Sequence, residues 1–563
     1  MKKRAVQIIL AIIIFAFIWL ILYFFISPFI DVQAVSSFLR EKPPFSFLSE
    51  SPREKLLKNF WYPLIALIIT LILYKVIESS AEAISERWLT GKPQFIHIPD
   101  KHKEWLDFRA RTSDLIGQQE QLEQLTAFLN SEDLFQWWWM TGSAGSGKSR
   151  IALNWVDELH KEKRILGFKK YDAGFFRGVH DNDIWRDWQP RKPTIIVIDN
   201  AAEYAEDILQ MFKALVIQSD QFENNLRVLI VERSLPEKIK HLNEESNYIE
   251  HRYHSKPTRP SQLNPEQVAD LTNSVPSING RILDQSGINS IFKVSQGNPL
   301  IALAAADLIL EQGDMDWSTR NELLTHWANR MCIKLRGQGL PESCLGFVAL
   351  TTFVRGMKWE DASKLGYPNE CLSKQTLDRI FRKDTAEKIP HIEPDLFGEI
   401  FVINVFSDLN AVERGDFLQS AWGIDPLGAG ISLFNMRKDF PDNEIVEILD
   451  EMPKNIDAMP FWAGVRVNLI ADSDTSLDNV DIHYKEIYEL ITHHKDNKDI
   501  NLASSMVMVN AINRYGEAER WDDLQSSLAT LHDTAARFPE DSQFVQLLEL
   551  AHELSDLNRN TGG

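Results

Sequence analysis

The chain carries an unbroken apolar run from residue 8 to residue 26, with no charge and only the Tyr23 hydroxyl to interrupt it. Nineteen residues at about 1.5 Å rise each nearly cross a hydrocarbon core of roughly 30 Å. The alternative is a cleaved signal peptide, since Met1-Lys2-Lys3-Arg4 is a basic start. The run exceeds a usual signal core, however, and Ser27-Pro28-Phe29 is a poor cleavage site. A second apolar run, residues 61–77, places Tyr62 and Tyr74-Lys75 near its ends and Thr70 inside, where rings and a snorkelling lysine suit headgroup depth. Residues 1–80 are therefore expected to form a two-span membrane hairpin. Arg40, Lys42, Arg53, Lys55 and Lys58 between the spans balance Lys2, Lys3 and Arg4, so basic residues alone leave the orientation open.

Residues 81–111 are polar, with Lys92-Pro93 and Pro99-Asp100, and read as a linker. Helical spacing begins with Leu122, Leu125, Phe128 and Leu129. Short continuous apolar runs then predict buried strands at 137–140, 194–199 and 226–231, with helices at 151–159 and 202–215 between them. An α/β core is expected over 112–255 and a helical lid over 256–330. The lid includes helices at 264–271, 278–291 and 301–310, the last started by Pro299, whose missing N–H costs little there. Short helices near 347–353 and 377–381 suggest a winged-helix-like module over 331–408. Residues 409–563 read as an α-helical repeat-like region that senses or binds a partner. Its tract 441–469 looks mixed. Helices at 504–515, 518–538 and 542–557 are expected to share a core through Ala511, Tyr515, Leu524, Leu528, Leu531 and Phe538.

Between the first predicted strand and its helix lies Gly142-Ser143-Ala144-Gly145-Ser146-Gly147-Lys148-Ser149. Strand, glycine loop and helix in that order are what a nucleotide phosphate requires. The glycines let backbone N–H groups face the phosphates, the helix offers its positive end, and Lys148 adds a mobile charge. Arg150 follows in the same turn, and Ser149 is placed to hold Mg. Asp199 ends a buried strand 51 residues beyond Lys148. The C-terminal end of such a strand faces the ligand crevice, so Asp199 is the second metal candidate. Asn200 stands where many ATPases carry a second acid. Glu203 is therefore the preferred water-activating base, with Glu206 in reserve. Arg233, just past the strand at 226–231, is the candidate reader of the terminal phosphate.

The formal charge is −20. An acidic balance of that size argues against nucleic acid as a partner. Three cysteines without close pairing, Cys332, Cys344 and Cys371, suggest reduced core thiols and no structural zinc. ATP is cytosolic, and the phosphate loop follows an even number of predicted spans. Both termini and the ATPase body are therefore expected in the cytoplasm.

The ordered series resembles the bacterial STAND-class P-loop NTPases, of NACHT or AP-ATPase type. It comprises Gly117 within Leu115-Ile116-Gly117-Gln118-Gln119-Glu120, the phosphate loop, Asp199, Arg233, Gly297-Asn298-Pro299 and Pro394-Asp395-Leu396-Phe397-Gly398-Glu399. Gln118 departs from the arginine that often follows that glycine, and Asn200 from the second acid. The resemblance implies an ATP-dependent switch that rests with ADP, binds and slowly hydrolyses ATP with Mg, and forms a homo-oligomer when a protein or peptide trigger arrives. It further implies that Pro299 contacts the base side of the nucleotide. The implied setting is the bacterial inner membrane, as a multi-pass protein in signalling or antiviral defence. The alternative is a membrane-tethered regulatory or scaffold ATPase without membrane-disrupting activity.

Overall fold

The computed structural model describes residues 95–96, 109, 113–162, 170–176, 184–233, 253–254, 256–275, 283–312, 317–368, 370–381, 388–472 and 475–561. Both apolar runs expected to span a membrane lie outside the described residues. Among the described residues, no helix is long and apolar enough to cross a membrane. All of them belong to one compact unit, Pro93–Gly563.

The unit begins with a five-stranded sheet in the order β1-β3-β4-β5-β2. Its strands are β1 (Phe95–Ile96), β2 (Phe135–Met140), β3 (Asp172–Phe176), β4 (Thr194–Asp199) and β5 (Leu226–Val231). β2 to β5 run parallel, and β1 pairs antiparallel with β3, Phe95 opposite Phe176. A piece of the segment read as linker is thus a strand of the sheet. β4 reads as an apolar run, and β5 as one broken only by the buried Arg227, because helices cover both of their faces.

Alternate residues feed opposite layers. Trp137, Ile196, Ile198 and Val228 pack on one face with Met211, Phe212 and Leu215, which belong to the helix Ala205–Gln218. Trp138, Ile195, Val197 and Leu229 pack on the other with Leu125, Phe128, Ile151 and Trp155. Those four come from α1 (Gln119–Leu129) and α2 (Lys148–Lys161). With α3 (Ile184–Asp187), the helix Ala205–Gln218 is α4 in chain order.

The following helices are α5 (Pro265–Ser274), α6 (Gln285–Ser295), α7 (Pro299–Gln312) and α8 (Arg320–Gly337). Asn264 and Gln267 form a capping box at α5, and the Asp284 side chain caps α6. Such caps satisfy backbone donors left open at a helix start. Next come α9 (Leu345–Phe353), β6 (Met357–Lys358), α10 (Trp359–Ala362), α11 (Lys374–Phe381), β7 (Lys388–Ile389) and α12 (Asp395–Asp408). β6 and β7 form a small antiparallel pair.

The remainder is helical: α13 (Ala411–Ile424), α14 (Pro426–Asp439), α15 (Glu444–Leu449), α16 (Met459–Ala471), α17 (Leu477–His493), α18 (Lys498–Glu517), α19 (Trp521–Ala535) and α20 (Ser542–Thr561). The tract expected to be mixed therefore holds two helices and a 3-10 turn, Ile456–Ala458. Ala511, Tyr515, Leu524 and Leu531 are buried as expected, and Leu528 packs at the edge of the same core. Phe538 stacks on Phe544 at 4.8 Å. One apolar core runs from the lid through α20.

The cysteine expectation needs correcting. Cys344 and Cys371 form a disulfide across a sequence separation of 27, and only Cys332 is a buried free thiol. The turn before α9 and the loop before α11 are brought together by tertiary packing, which spacing along the chain does not reveal.

Candidate functional site

The phosphate loop joins β2 to α2. Gly145 and Gly147 take φ of +74° and +98°, a region that disfavours side chains and lets the loop wrap. Gly147 is the residue that enters α2, so the helix start faces the loop interior. Lys148 is 9% exposed, and its Nζ donates to the carbonyls of Gly142 at 2.7 Å and Ser143 at 3.0 Å. Burial, helped by the nearby Arg233 charge, lowers the Lys148 pKa to about 8. The Ser146 hydroxyl is buried with no hydrogen-bond partner, an unsatisfied donor inside a loop shaped for anions.

Two parallel strands bring the acid to this loop. Ser149 Oγ donates to Asp199 Oδ1 at 3.0 Å. Burial raises the Asp199 pKa to about 7, and the Glu232 charge adds to the rise against the opposing Ser149 hydrogen bond and Lys148 charge. A hydroxyl and a carboxylate so placed are oxygen donors of the kind Mg takes alongside phosphates. Among the described residues no group of three or more His, Cys, Asp or Glu could hold a metal by itself. A cation here would need ligand oxygens to complete its shell.

β5 lies between β2 and β4, so its tip enters the crevice between phosphate loop and acid. Glu232 at that tip accepts from the backbone N–H of Ala202 at 3.0 Å and of Arg233 at 2.8 Å. It thus ties the β4 and β5 exits together. Sequence reasoning assigned it no role, although its place directly after the apolar run was the available signal.

The lid grips the loop. Asn298 Nδ2 donates to Ala144 O at 2.8 Å, and Leu300 N donates to Gly145 O at 3.2 Å. A side chain at Gly145 would meet Asn298 Oδ1 and Leu300 Cβ at 2.8 Å. Gly297 itself packs on the Leu263 backbone, 2.3 Å from where a Cβ would sit. Gly297-Asn298-Pro299 thus fixes the loop's shape, a role that the motif alone did not disclose.

A cavity of about 280 Å³ results. Residues 144–150, Asp199, Arg233 and Pro299 line it. Gly142 and Ser143 stand behind, their carbonyls holding Lys148. Arg150 donates to Ser113 O at 2.9 Å. Glu203 lies on the 3-10 turn Ala201–Tyr204, but its side chain and that of Glu206 fall outside the described part. Ile116, Leu263, Leu271, Pro299 and Leu303 make one wall apolar.

Glu393-Pro394-Asp395-Leu396, at the start of α12, also line the cavity. Glu393 pairs with Arg109, and Arg355 Nη1 reaches Asp395 Oδ2 at 3.1 Å. Burial alone would raise Asp395, but Arg355, His391 and Arg233 hold it well below the usual carboxylate range. Gln118, one of the two departures noted above, binds the Ser261 backbone through both ends of its amide, at 2.8 and 3.0 Å. It pins the entry to the core against the lid.

Arg233 is not presented freely to the cavity. Its guanidinium is engaged by Glu399 and Asp439.

No protein-family model matches the chain, and no curated protein matches it either. Among solved structures it is similar to the Holliday junction branch migration motor RuvB of Thermotoga maritima. The identity is 16% over 50% of this chain and 96% of that one, with a TM-score of 0.26. Two variants of the same protein match at 13% and 14% identity, covering 49% of this chain and 92% of theirs, each with a TM-score of 0.25. Likeness this distant carries no conclusion about substrate, partner or mechanism.

Proposed function

We propose that the chain is a membrane-anchored molecular switch of the STAND kind, which binds ATP or ADP with Mg and hydrolyses ATP slowly. One observation carries the reading: Lys148, the unpartnered Ser146 hydroxyl and the Ser149–Asp199 pair converge on a single cavity. Backbone donors and Lys148 would hold the phosphates, while Ser149 and Asp199 would hold Mg. The metal would neutralise phosphate charge, and the apolar wall with Pro299 suits a purine face.

Residues 393–396, at the start of α12, line the cavity together with the phosphate loop. That arrangement supports a switch, because a ligand there bears on how two modules meet. Oligomerisation on a protein or peptide trigger, the bacterial inner membrane with both termini inside, and a role in signalling or antiviral defence are parts of the same proposal. They rest on the two apolar runs and the ordered motifs. The acidic balance supports a partner other than nucleic acid.

The test is the protease-cleavage pattern of the detergent-solubilised full chain with Mg·ATP, with Mg·ADP, and for Lys148→Ala with Mg·ATP, which reads the nucleotide-dependent state without the trigger. A distinct pattern is expected only for the unaltered chain with ATP. Identical patterns in all three samples would refute the switch.

A further inference from the structure

An ion cluster at the cavity rim joins three residues that lie far apart in sequence. Arg233 sits at the tip of β5 and lines the cavity. Its Nη2 donates to Glu399 Oε1 at 2.6 Å and its Nη1 to Glu399 Oε2 at 3.2 Å, a fork matched to a carboxylate. Nη1 also donates to Asp439. The three side chains are 7%, 5% and 6% exposed. Glu399 lies on α12 and Asp439 ends α14, 166 and 206 residues beyond Arg233. Arg320 backs the cluster, donating to the Asp439 carbonyl at 3.0 Å with its other terminal nitrogen 3.9 Å from Asp439 Oδ1.

Glu399 takes the Nη1/Nη2 fork end-on and Asp439 the remaining Nη1 hydrogen, so the terminal fork of this guanidinium is not free for a phosphate. To meet a terminal phosphate with that fork, Arg233 must leave both partners, and a buried Glu399 carboxylate without its cation is strongly disfavoured. Burial and the neighbouring Asp439 charge already push Glu399 up to about 8, against the pull of Arg233. Burial would lower the Arg233 pKa, but the Glu399, Asp439 and Asp395 carboxylates more than reverse that and keep it cationic. A diphosphate demands no such exchange, because it has no terminal group for Arg233 to meet.

We infer that Glu399 and Asp439 set the preference between nucleoside di- and triphosphate at this site, by holding Arg233 in an ion cluster for which the terminal phosphate must compete. The inference rests on the nucleotide reading above and deepens it. The competition is reciprocal: a triphosphate that captures Arg233 loosens α12 and α14 from β5 by the same factor by which the cluster weakens triphosphate binding.

The test uses the detergent-solubilised full chain and calorimetric Kd values for Mg·ADP and for a non-hydrolysable ATP analogue with Mg. Asp439→Asn is expected to tighten the ATP analogue about tenfold and to leave ADP within about twofold, because the binding-competent fraction rises only for the triphosphate. Glu399→Gln keeps the side-chain shape and is expected to act in the same direction, so it decides the matter if Asp439→Asn melts early. Arg233→Ala is expected to make Asp439→Asn silent when the two are combined. An unmoved ratio of the two Kd values in a variant that melts like the parent overturns this inference alone. Failure of the unaltered chain to bind either nucleotide overturns the nucleotide reading and this inference with it.

Discussion

Asn298→Ala probes the contact that gives the phosphate loop its shape. The side chain does two things: Nδ2 donates to Ala144 O at 2.8 Å, and Oδ1 accepts from Ile301 N at 3.2 Å in the first turn of α7. Loss of a cap costs about 1 kcal/mol, and a buried carbonyl left without its donor costs about 1–3 kcal/mol. The variant should therefore lose roughly 2–4 kcal/mol of stability. The Leu300 N to Gly145 O bond, 3.2 Å, survives, so the loop is loosened and not released. If about 1 kcal/mol of the loss falls on the bound shape of the loop, Mg·ADP affinity drops about fivefold. Asn298→Asp separates the two roles, because it keeps an acceptor for Ile301 N but has no donor for Ala144 O. Calorimetric titration reads affinity and thermal melting reads stability. Asn298→Asp should melt above Asn298→Ala yet bind nucleotide no better. Lowered melting of Asn298→Ala with unchanged nucleotide affinity would refute the claim that this residue shapes the loop.

Burial holds the Asp199 pKa near 7, above its ordinary value, so the native state keeps a proton that the unfolded chain has released. Stability of the nucleotide-free protein should fall as pH rises from about 4 through the Asp199 pKa. Mg-dependent nucleotide affinity should rise over the approach to pH 7 and flatten above it, and Asp199→Asn should abolish the slope in a titration series. Gly297→Ala sets a Cβ 2.3 Å from Leu263 O at φ +80° and should cost more than about 2 kcal/mol by chemical denaturation. Gly464→Ala, inside α16 with nothing within 4 Å, should instead stabilise by about 0.5–1 kcal/mol. Cleavage of the Cys344–Cys371 disulfide by reductant should cost about 3–4 kcal/mol for a loop of this length. An unchanged midpoint after confirmed reduction would count against that bond.

The parts of the site legible in sequence were those carried by local pattern. The apolar runs that became β2, β4 and β5, the glycine loop and the acid at the end of β4 each announce themselves within a few residues. The two-residue β1 was too brief to stand out from its polar surroundings, and β3, only Asp172–Phe176, lacks a flanking motif. The contacts that give residues their roles were hidden by distance along the chain. Asn298 reaches Ala144 across 154 residues, and Arg233 meets carboxylates 166 and 206 residues away. The cysteine pair was missed for the same reason: burial and proximity come from how α9 and the loop before α11 pack, and composition carries neither.

The central claim is that Lys148 and the Ser149–Asp199 pair hold a nucleotide through its phosphates and Mg. Its most direct measurement is equilibrium binding of ATP and ADP to the purified full chain, with Mg and with Mg chelated, for the unaltered protein and for Lys148→Ala. The account predicts saturable binding that weakens on chelation and falls by about 100-fold or more in Lys148→Ala. Binding that ignores both the metal and the lysine, or no binding by the unaltered chain, would contradict it.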